Sequence, residues 1–168
     1  YTSGSTGQPK GVEVEHAALS NLLASMLKRP GFSSYERMLA LSTPAFDIAT
    51  VEMFLPLLVG GTVVVAPEGI EREPTELAEL IESVDVMQAT PTMWNMLLAS
   101  GWKGQPRLRA FSGGESLSTQ LAQTLYPQVR ELWNLYGPTE ATVWCSAHQV
   151  ETSDLIETSI PIGEPIAN

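Results

Sequence analysis

The stretch Tyr1-Thr-Ser-Gly-Ser-Thr-Gly-Gln-Pro-Lys-Gly11 gathers the groups that hold a phosphate chain. Gly4, Gly7 and Gly11 let the backbone turn sharply and bring N–H groups close to an anion. Ser3, Ser5 and Thr6 add hydroxyl donors, and Lys10 adds a point charge. A flexible polar linker is the competing reading. It does not account for Pro9-Lys10-Gly11 running directly into apolar Val12. Nor is the stretch a Walker loop, which needs Gly, four residues, then Gly-Lys-Ser/Thr, whereas here Pro9 precedes Lys10 and Gly11 follows it.

Residues of this kind need elements to aim them. Ala17 to Leu27, Asp47 to Val59, Pro74 to Val84, Pro91 to Ala99 and Leu117 to Leu125 read as helices. In the second of these, Ile48, Val51, Phe54, Leu55 and Leu58 recur at helical spacing, and Gly60-Gly61 stops it. Arg37 to Ser42, Thr62 to Ala66, Val86 to Thr90, Arg109 to Ser112, Glu131 to Leu135 and Val143 to Val150 read as strands, with the β-branched run TVVVA expected to be buried. Pro67 to Arg72 reads as a polar loop. Strands alternating with helices predict an α/β fold, a mainly parallel sheet flanked by helices. Ligands of such sheets bind where strands end and loops lead into helices, and the chemically interesting residues fall in those loops.

Bulk properties narrow the function. With 168 residues and 43% hydrophobic content, the chain can build one real core. A net charge of -10 argues against a nucleic-acid partner and against a polybasic membrane contact. Any nucleotide site must then create positive potential locally. The single Cys145 excludes an internal disulfide and a cysteine metal cluster, and His16 and His148 are too far apart to suggest a histidine metal site. No apolar run is long enough to span a membrane and no signal peptide opens the chain, so a cytoplasmic location is expected.

Five motifs in order resemble the adenylate-forming superfamily: acyl-CoA synthetases, luciferases and the adenylation domains of nonribosomal peptide synthetases. They are the Tyr1–Gly11 loop, Pro44-Ala-Phe-Asp-Ile48, Phe111-Ser-Gly-Gly-Glu115, Asn134-Leu-Tyr-Gly-Pro-Thr-Glu-Ala-Thr142 and Pro161-Ile-Gly-Glu-Pro-Ile-Ala-Asn168. The second is similar to the amino-acid-activating branch. The resemblance implies the core of the family's large subdomain and ATP-dependent activation of a carboxylic acid, most simply an amino acid. It also implies that residues 1–168 are an internal piece of a single AMP-binding (adenylation) domain, with the C-terminal lid subdomain outside it and the piece alone inactive. Both reactants are anionic, so charge must be screened and the groups held in line. By the resemblance, Thr2, Ser3, Gly4, Ser5, Thr6, Gly7 and Lys10 hold the ATP phosphates. Thr139 contacts the α-phosphate, and Glu140 helps hold Mg²⁺, as a hard carboxylate should. Tyr136 with Gly113, Gly114 and Glu115 forms the adenine wall. Phosphopantetheine on a partner carrier domain then accepts the acyl group, beside a condensation domain.

Asp47 separates the branches. In the peptide-synthetase family an Asp at this point binds the substrate ammonium, which when buried requires an anionic partner. A plain cap of the following helix is the competing reading. Asp47, Ile48, Val51, Gln88, Phe111, Gly113, Leu135, Val143 and Trp144, carried over position by position, resemble the pattern of glycine-activating domains. Taken singly, each apolar member could equally be ordinary core, as Trp94 and Trp133 are expected to be. The alternatives are an acyl- or aryl-CoA ligase of the same fold, which Asp47 disfavours, and a nucleotide-binding relic without turnover, which intact Lys10, Thr139 and Glu140 disfavour.

Overall fold

A computed structural model of the chain describes Thr2, Gly7 and residues 9–167. Seven strands form one sheet in the order β2-β1-β3-β4-β5-β6-β7. They are β1 (Arg37–Ala40), β2 (Thr62–Val65), β3 (Val86–Ala89), β4 (Gln105–Gly113), β5 (Val129–Tyr136), β6 (Ser146–Gln149) and β7 (Glu164–Pro165). Neighbours from β2 through β5 pair in parallel, and the last two pairings, β5 with β6 and β6 with β7, are antiparallel. Among the described residues, five α-helices cover the sheet: α1 (His16–Met26), α2 (Ile48–Leu58), α3 (Pro74–Ile81), α4 (Pro91–Ala99) and α5 (Thr119–Leu125). The mainly parallel α/β fold expected from the sequence is the fold observed.

Strand alternation divides the core in two. Leu39, Met87, Ala110 and Leu132 face α3, α4 and α5, where Leu77, Ile81, Trp94, Leu97, Leu121 and Leu125 meet them. Met38, Val86, Phe111, Trp133 and Leu135 face the other way, toward Leu22 and Met26 of α1 and Val51 and Leu55 of α2. Trp94 and Trp133 are both core, as expected.

Three local expectations are corrected. The run Thr62 to Ala66 is not a buried strand. It forms β2 at the sheet edge, paired only with β1, and Val65 is 75% exposed. The strand expected over Val143 to Val150 begins only at Ser146. Thr142 and Val143 both sit at φ 64°, a left-handed backbone that β-branched residues rarely adopt. Pro67 to Arg72 is not wholly loop, since Ile70–Arg72 makes a 3₁₀ turn.

A buried ion cluster ties together the amino-terminal ends of the parallel strands. The Arg109 guanidinium donates to Glu36 at 3.1 Å, to Glu131 at 2.8 Å, and to the carbonyls of Pro30 at 2.6 Å and Gly31 at 2.9 Å. Burial raises the Glu131 carboxyl. Donation from the Trp133 indole and from Arg109, with the charges of Arg109 and Arg130, outweighs burial and holds it below its ordinary value. Side chains of Arg109 and Glu36 are 6% and 5% exposed, so loss of either leaves a desolvated charge. Arg109→Met is therefore expected to lower stability by roughly 3–5 kcal/mol. Urea unfolding checks this, and a loss below about 1 kcal/mol would mean the cluster behaves as a solvated surface pair.

Candidate active site

The carboxyl ends of β1, β3, β4 and β5 all lie along one edge, because these strands are parallel. The loops leaving that edge carry most of the residues singled out from the sequence. Gly113 ends β4, and the turn passes through Gly114 at φ 81°. Tyr136 ends β5, about half exposed, and a 3₁₀ turn (Thr139–Ala141) follows with Thr139 half-buried and Glu140 exposed. Glu115 does not project freely. Its carboxylate accepts the Thr92 N–H at 3.1 Å and the Thr92 hydroxyl at 2.6 Å, pinning the Gly113-Gly114 turn to the start of α4.

Thr2 and Lys10 exchange two backbone hydrogen bonds of 2.9 Å in an isolated antiparallel bridge, and Gly7 has φ 81°. Lys10 is exposed. Ser3, Gly4, Ser5 and Thr6 lie outside the described residues.

Of the nine residues proposed to surround the acid substrate, Ile48 and Val51 lie on α2, six others meet them from beneath it, and Asp47 stands at its N-cap position. Gln88, Phe111, Gly113 and Leu135 have the same strand parity, so they share the sheet face covered by α1 and α2; the register pairs Gln88 with Phe111 and Gly113 with Leu135. Val51, Val143 and Trp144 pack in the same buried cluster, with Ile48 against it. Ile48 also adjoins the loop edge, since a Cβ on Gly114 would lie 3.6 Å from its Cδ1. Asp47 is half-buried at the N-cap position of α2 and makes no side-chain cap hydrogen bond. Its carboxylate is not spent on capping.

Trp144 closes this space. A Cβ on Gly113 would lie 2.8 Å from Trp144 Cζ3 and closer still to Cη2, so the indole rests directly on the glycine backbone. The chain reaches this position through the two left-handed residues. Trp144 N–H donates to the Thr142 carbonyl and Cys145 N–H to the Tyr136 carbonyl, both at 2.8 Å. Gly137 is required here as well, because a Cβ there would sit 2.6 Å from Trp144 Cα.

Sequence reasoning missed Glu52. It is fully buried on α2, one residue after Val51. Its carboxylate accepts the N–H groups of Leu41 at 2.9 Å and Ser42 at 2.8 Å, the Ser42 hydroxyl at 2.7 Å and Gln88 Nε2 at 3.3 Å. Burial pushes its pKa up, while those donors from Ser42, Gln88 and Leu41 pull against the shift. The available signal was a single charged residue within the otherwise apolar helix IATVEMFLPLL.

The fold and the candidate site define an α/β domain whose candidate loops cluster at the carboxyl edge of a mainly parallel sheet, above a buried, largely apolar cluster under one helix. The chain belongs to the AMP-binding enzyme family, which it matches over residues 1–168. Over its full length it is 47% identical to the PKS-NRPS hybrid synthetase ATPKS of Aspergillus niger and 45% identical to a dimodular nonribosomal peptide synthase of Bacillus subtilis. It spans only 9% and 7% of those two proteins. Among solved structures, a holo four-domain nonribosomal peptide synthetase bound to AMP and glycine superposes with a TM-score of 0.88 at 42% identity, covering 95% of this chain and 12% of that one. The Vibrio cholerae adenylation domain AlmE, in complex with glycyl-adenosine-5'-phosphate, superposes with a TM-score of 0.87 at 29% identity, covering 98% of this chain and 32% of that one.

Contact between Gly113 and the indole sets a test. Gly113→Ala is expected to displace Trp144 and to lower stability by roughly 1–3 kcal/mol through overpacking. The indole N–H resonance of Trp144 should lose its protection from hydrogen exchange. An unchanged resonance would mean the ring does not lie on residue 113.

Proposed function

We propose that this chain is part of the large subdomain of an adenylation domain, and that the domain activates glycine. The observation that carries the reading is the half-buried Asp47 carboxylate, free of a capping bond, at the start of α2, together with Trp144 lying across Gly113 in the buried cluster below. The substrate ammonium would pair with Asp47, and the bulk of Ile48, Gln88, Phe111 and Trp144 would leave no room for a side chain. The resemblance to two proteins whose structures hold glycine or its adenylate supports the same substrate.

The substrate carboxylate oxygen forms a bond to the α-phosphorus of ATP, and the bond from that phosphorus to the bridging oxygen breaks, releasing pyrophosphate. Two anions must meet, so this chain's task is orientation and charge screening. Lys10, with Thr2, Ser3, Gly4, Ser5, Thr6 and Gly7, would hold the phosphates. Thr139 would meet the α-phosphate. Tyr136, with Gly113, Gly114 and Glu115, would flank the adenine. In this arrangement Glu115 acts by holding the turn against Thr92.

Glu140 suits Mg²⁺. Its carboxylate is exposed, and the described residues contain no cluster of three His, Cys, Asp or Glu that could cage a metal by themselves. Mg²⁺ characteristically takes one or two carboxylates and fills its remaining positions with phosphate oxygens and water. When bound it supplies neutralising charge to the phosphates. The glycyl group would then pass to a phosphopantetheine thiol on a carrier domain, beside a condensation domain of the parent synthetase. An acyl- or aryl-CoA ligase has no ammonium to bind and so no use for Asp47.

Amino-acid-dependent exchange of labelled pyrophosphate into ATP, measured with the parent synthetase, is expected to show glycine first and alanine next, with valine, leucine and phenylalanine far behind. Preference for any residue larger than alanine would overturn the pocket assignment. Asp47→Ala should raise the glycine requirement steeply with little effect on ATP, since loss of a desolvated charge partner is worth roughly 3–5 kcal/mol. Glu140→Gln should reduce turnover and blunt its response to Mg²⁺, because an amide is a weaker, uncharged ligand. A normal Mg²⁺ titration in that variant would remove Glu140 from the metal site.

A further inference from the structure

Behind the proposed pocket runs a buried chain of side-chain hydrogen bonds. Trp144 Nε1 donates to Gln88 Oε1 at 2.9 Å. Gln88 Nε2 donates to Glu52 Oε1 at 3.3 Å and to the Ile48 carbonyl at 3.4 Å. Glu52 is anchored in turn by Leu41 N–H, Ser42 N–H and the Ser42 hydroxyl at the end of β1. Trp144, Gln88 and Glu52 are each no more than 1% exposed. None of the ion pairs among the described residues includes Glu52.

We propose that Glu52 is a positioning residue for substrate selection, which orients the Gln88 amide and thereby locks the Trp144 indole across Gly113. This rests on the amino-acid reading of the pocket given above. The argument is one of donor and acceptor count. An indole N–H can only donate, and a carboxylate and a carbonyl can only accept. Gln88 lies between them, so its carbonyl must face Trp144 and its NH₂ must face Glu52 and Ile48. The reversed amide would set donor against donor at Trp144 and acceptor against acceptor at both Glu52 and Ile48. Unmatched buried groups of this kind are expensive, so one amide orientation is retained. The wall of the proposed pocket is therefore set by a carboxylate that does not line it.

The test compares kcat/KM for alanine and glycine, a ratio that does not depend on how much of the enzyme is folded. Glu52→Gln in the parent synthetase is nearly isosteric. Its amide oxygen can keep the Leu41 and Ser42 N–H bonds, but its NH₂ then faces the NH₂ of Gln88 and disfavours the native amide orientation. The alanine-to-glycine ratio is expected to rise about tenfold, the lower end of what one methylene can discriminate, with KM for ATP unchanged. Trp144→Phe removes the indole donor while leaving the donors to Glu52 in place, and should move the ratio in the same direction. In the Phe background, adding Glu52→Gln should change the ratio little further, since coupled residues are not additive.

Three results would overturn the proposal. They are an unchanged ratio in soluble Glu52→Gln, an unchanged ratio in Trp144→Phe, or a Glu52→Gln effect of the same size in both backgrounds. If Glu52→Gln does not fold, Ser42→Ala decides in its place: it removes the hydroxyl donor at Glu52 Oε1 and leaves the bulk of Trp144 intact, and an unchanged ratio there would overturn the proposal. Failure of the amino-acid reading itself would appear in the wild type, as pyrophosphate exchange that no amino acid stimulates.

Discussion

The contact on which the buried cluster under α2 depends is an indole lying against a glycine backbone. Trp144 can reach Gly113 only because three local arrangements agree. Residue 113 has no Cβ, residue 137 has none either, and the chain between them turns through Thr142 and Val143 in the left-handed region. Left-handed backbone at β-branched residues is strained, of order 1–3 kcal/mol per residue, and persists only where surrounding contacts enforce it. Those contacts are present: Val143 is buried in the cluster under α2, and Cys145 is held to Tyr136 at 2.8 Å. The expected strand from Val143 to Val150 is interrupted for this reason. Its first residues turn the chain so that the indole can pack on β4.

Charge is distributed with the same economy of placement. The chain carries a net charge of -10, yet its most buried cation, Arg109, lies near the amino-terminal ends of the parallel strands, opposite the loop edge, and is consumed by Glu36, Glu131 and two carbonyls. It can offer nothing to an anion at the carboxyl edge. On that edge Asp47 is half-buried and free of a capping bond, and the other acidic groups are occupied or exposed. Glu115 is clamped by Thr92, Glu52 is buried among donors, and Glu140 faces solvent. Attraction for a phosphate chain would therefore have to come from Lys10, from backbone N–H groups of the glycine-rich loop and from a bound cation, each of which acts over short range in salt.

Much of this was legible because strand parity and helical spacing are strict. Gln88, Phe111, Gly113 and Leu135 are odd-and-even partners on neighbouring parallel strands, and once the strands are correctly located their shared face follows. What the sequence did not reveal depends on tertiary context. The β-branched run Thr62–Ala66 has the composition of a central strand, but position in the sheet is decided by strand order, and β2 lies at the edge. Glu52 has the composition of a solvated helix charge; only the donors of Leu41 and Ser42, which follow β1, make burial of its carboxylate tolerable. The conformation of Thr142 and Val143 is likewise invisible locally, because neither residue type favours it.

A pocket that selects the smallest amino acid cannot discriminate by attraction, since that substrate offers no side chain to hold. Under the proposed reading, discrimination must come from a wall that does not yield. Apolar packing alone makes a poor wall of this sort, because side chains repack at modest cost when volume and shape are nearly conserved. A hydrogen-bonded indole is different. To move aside for a methyl group Trp144 would have to leave Gln88 Oε1, and the freed N–H would be stranded in an environment that is 1% exposed. The penalty for a larger substrate then includes an unsatisfied buried donor, about 1–3 kcal/mol, in addition to steric strain. Polar groups buried behind an apolar surface thus stiffen it, which accounts for a carboxylate and an amide in the middle of an otherwise hydrophobic cluster.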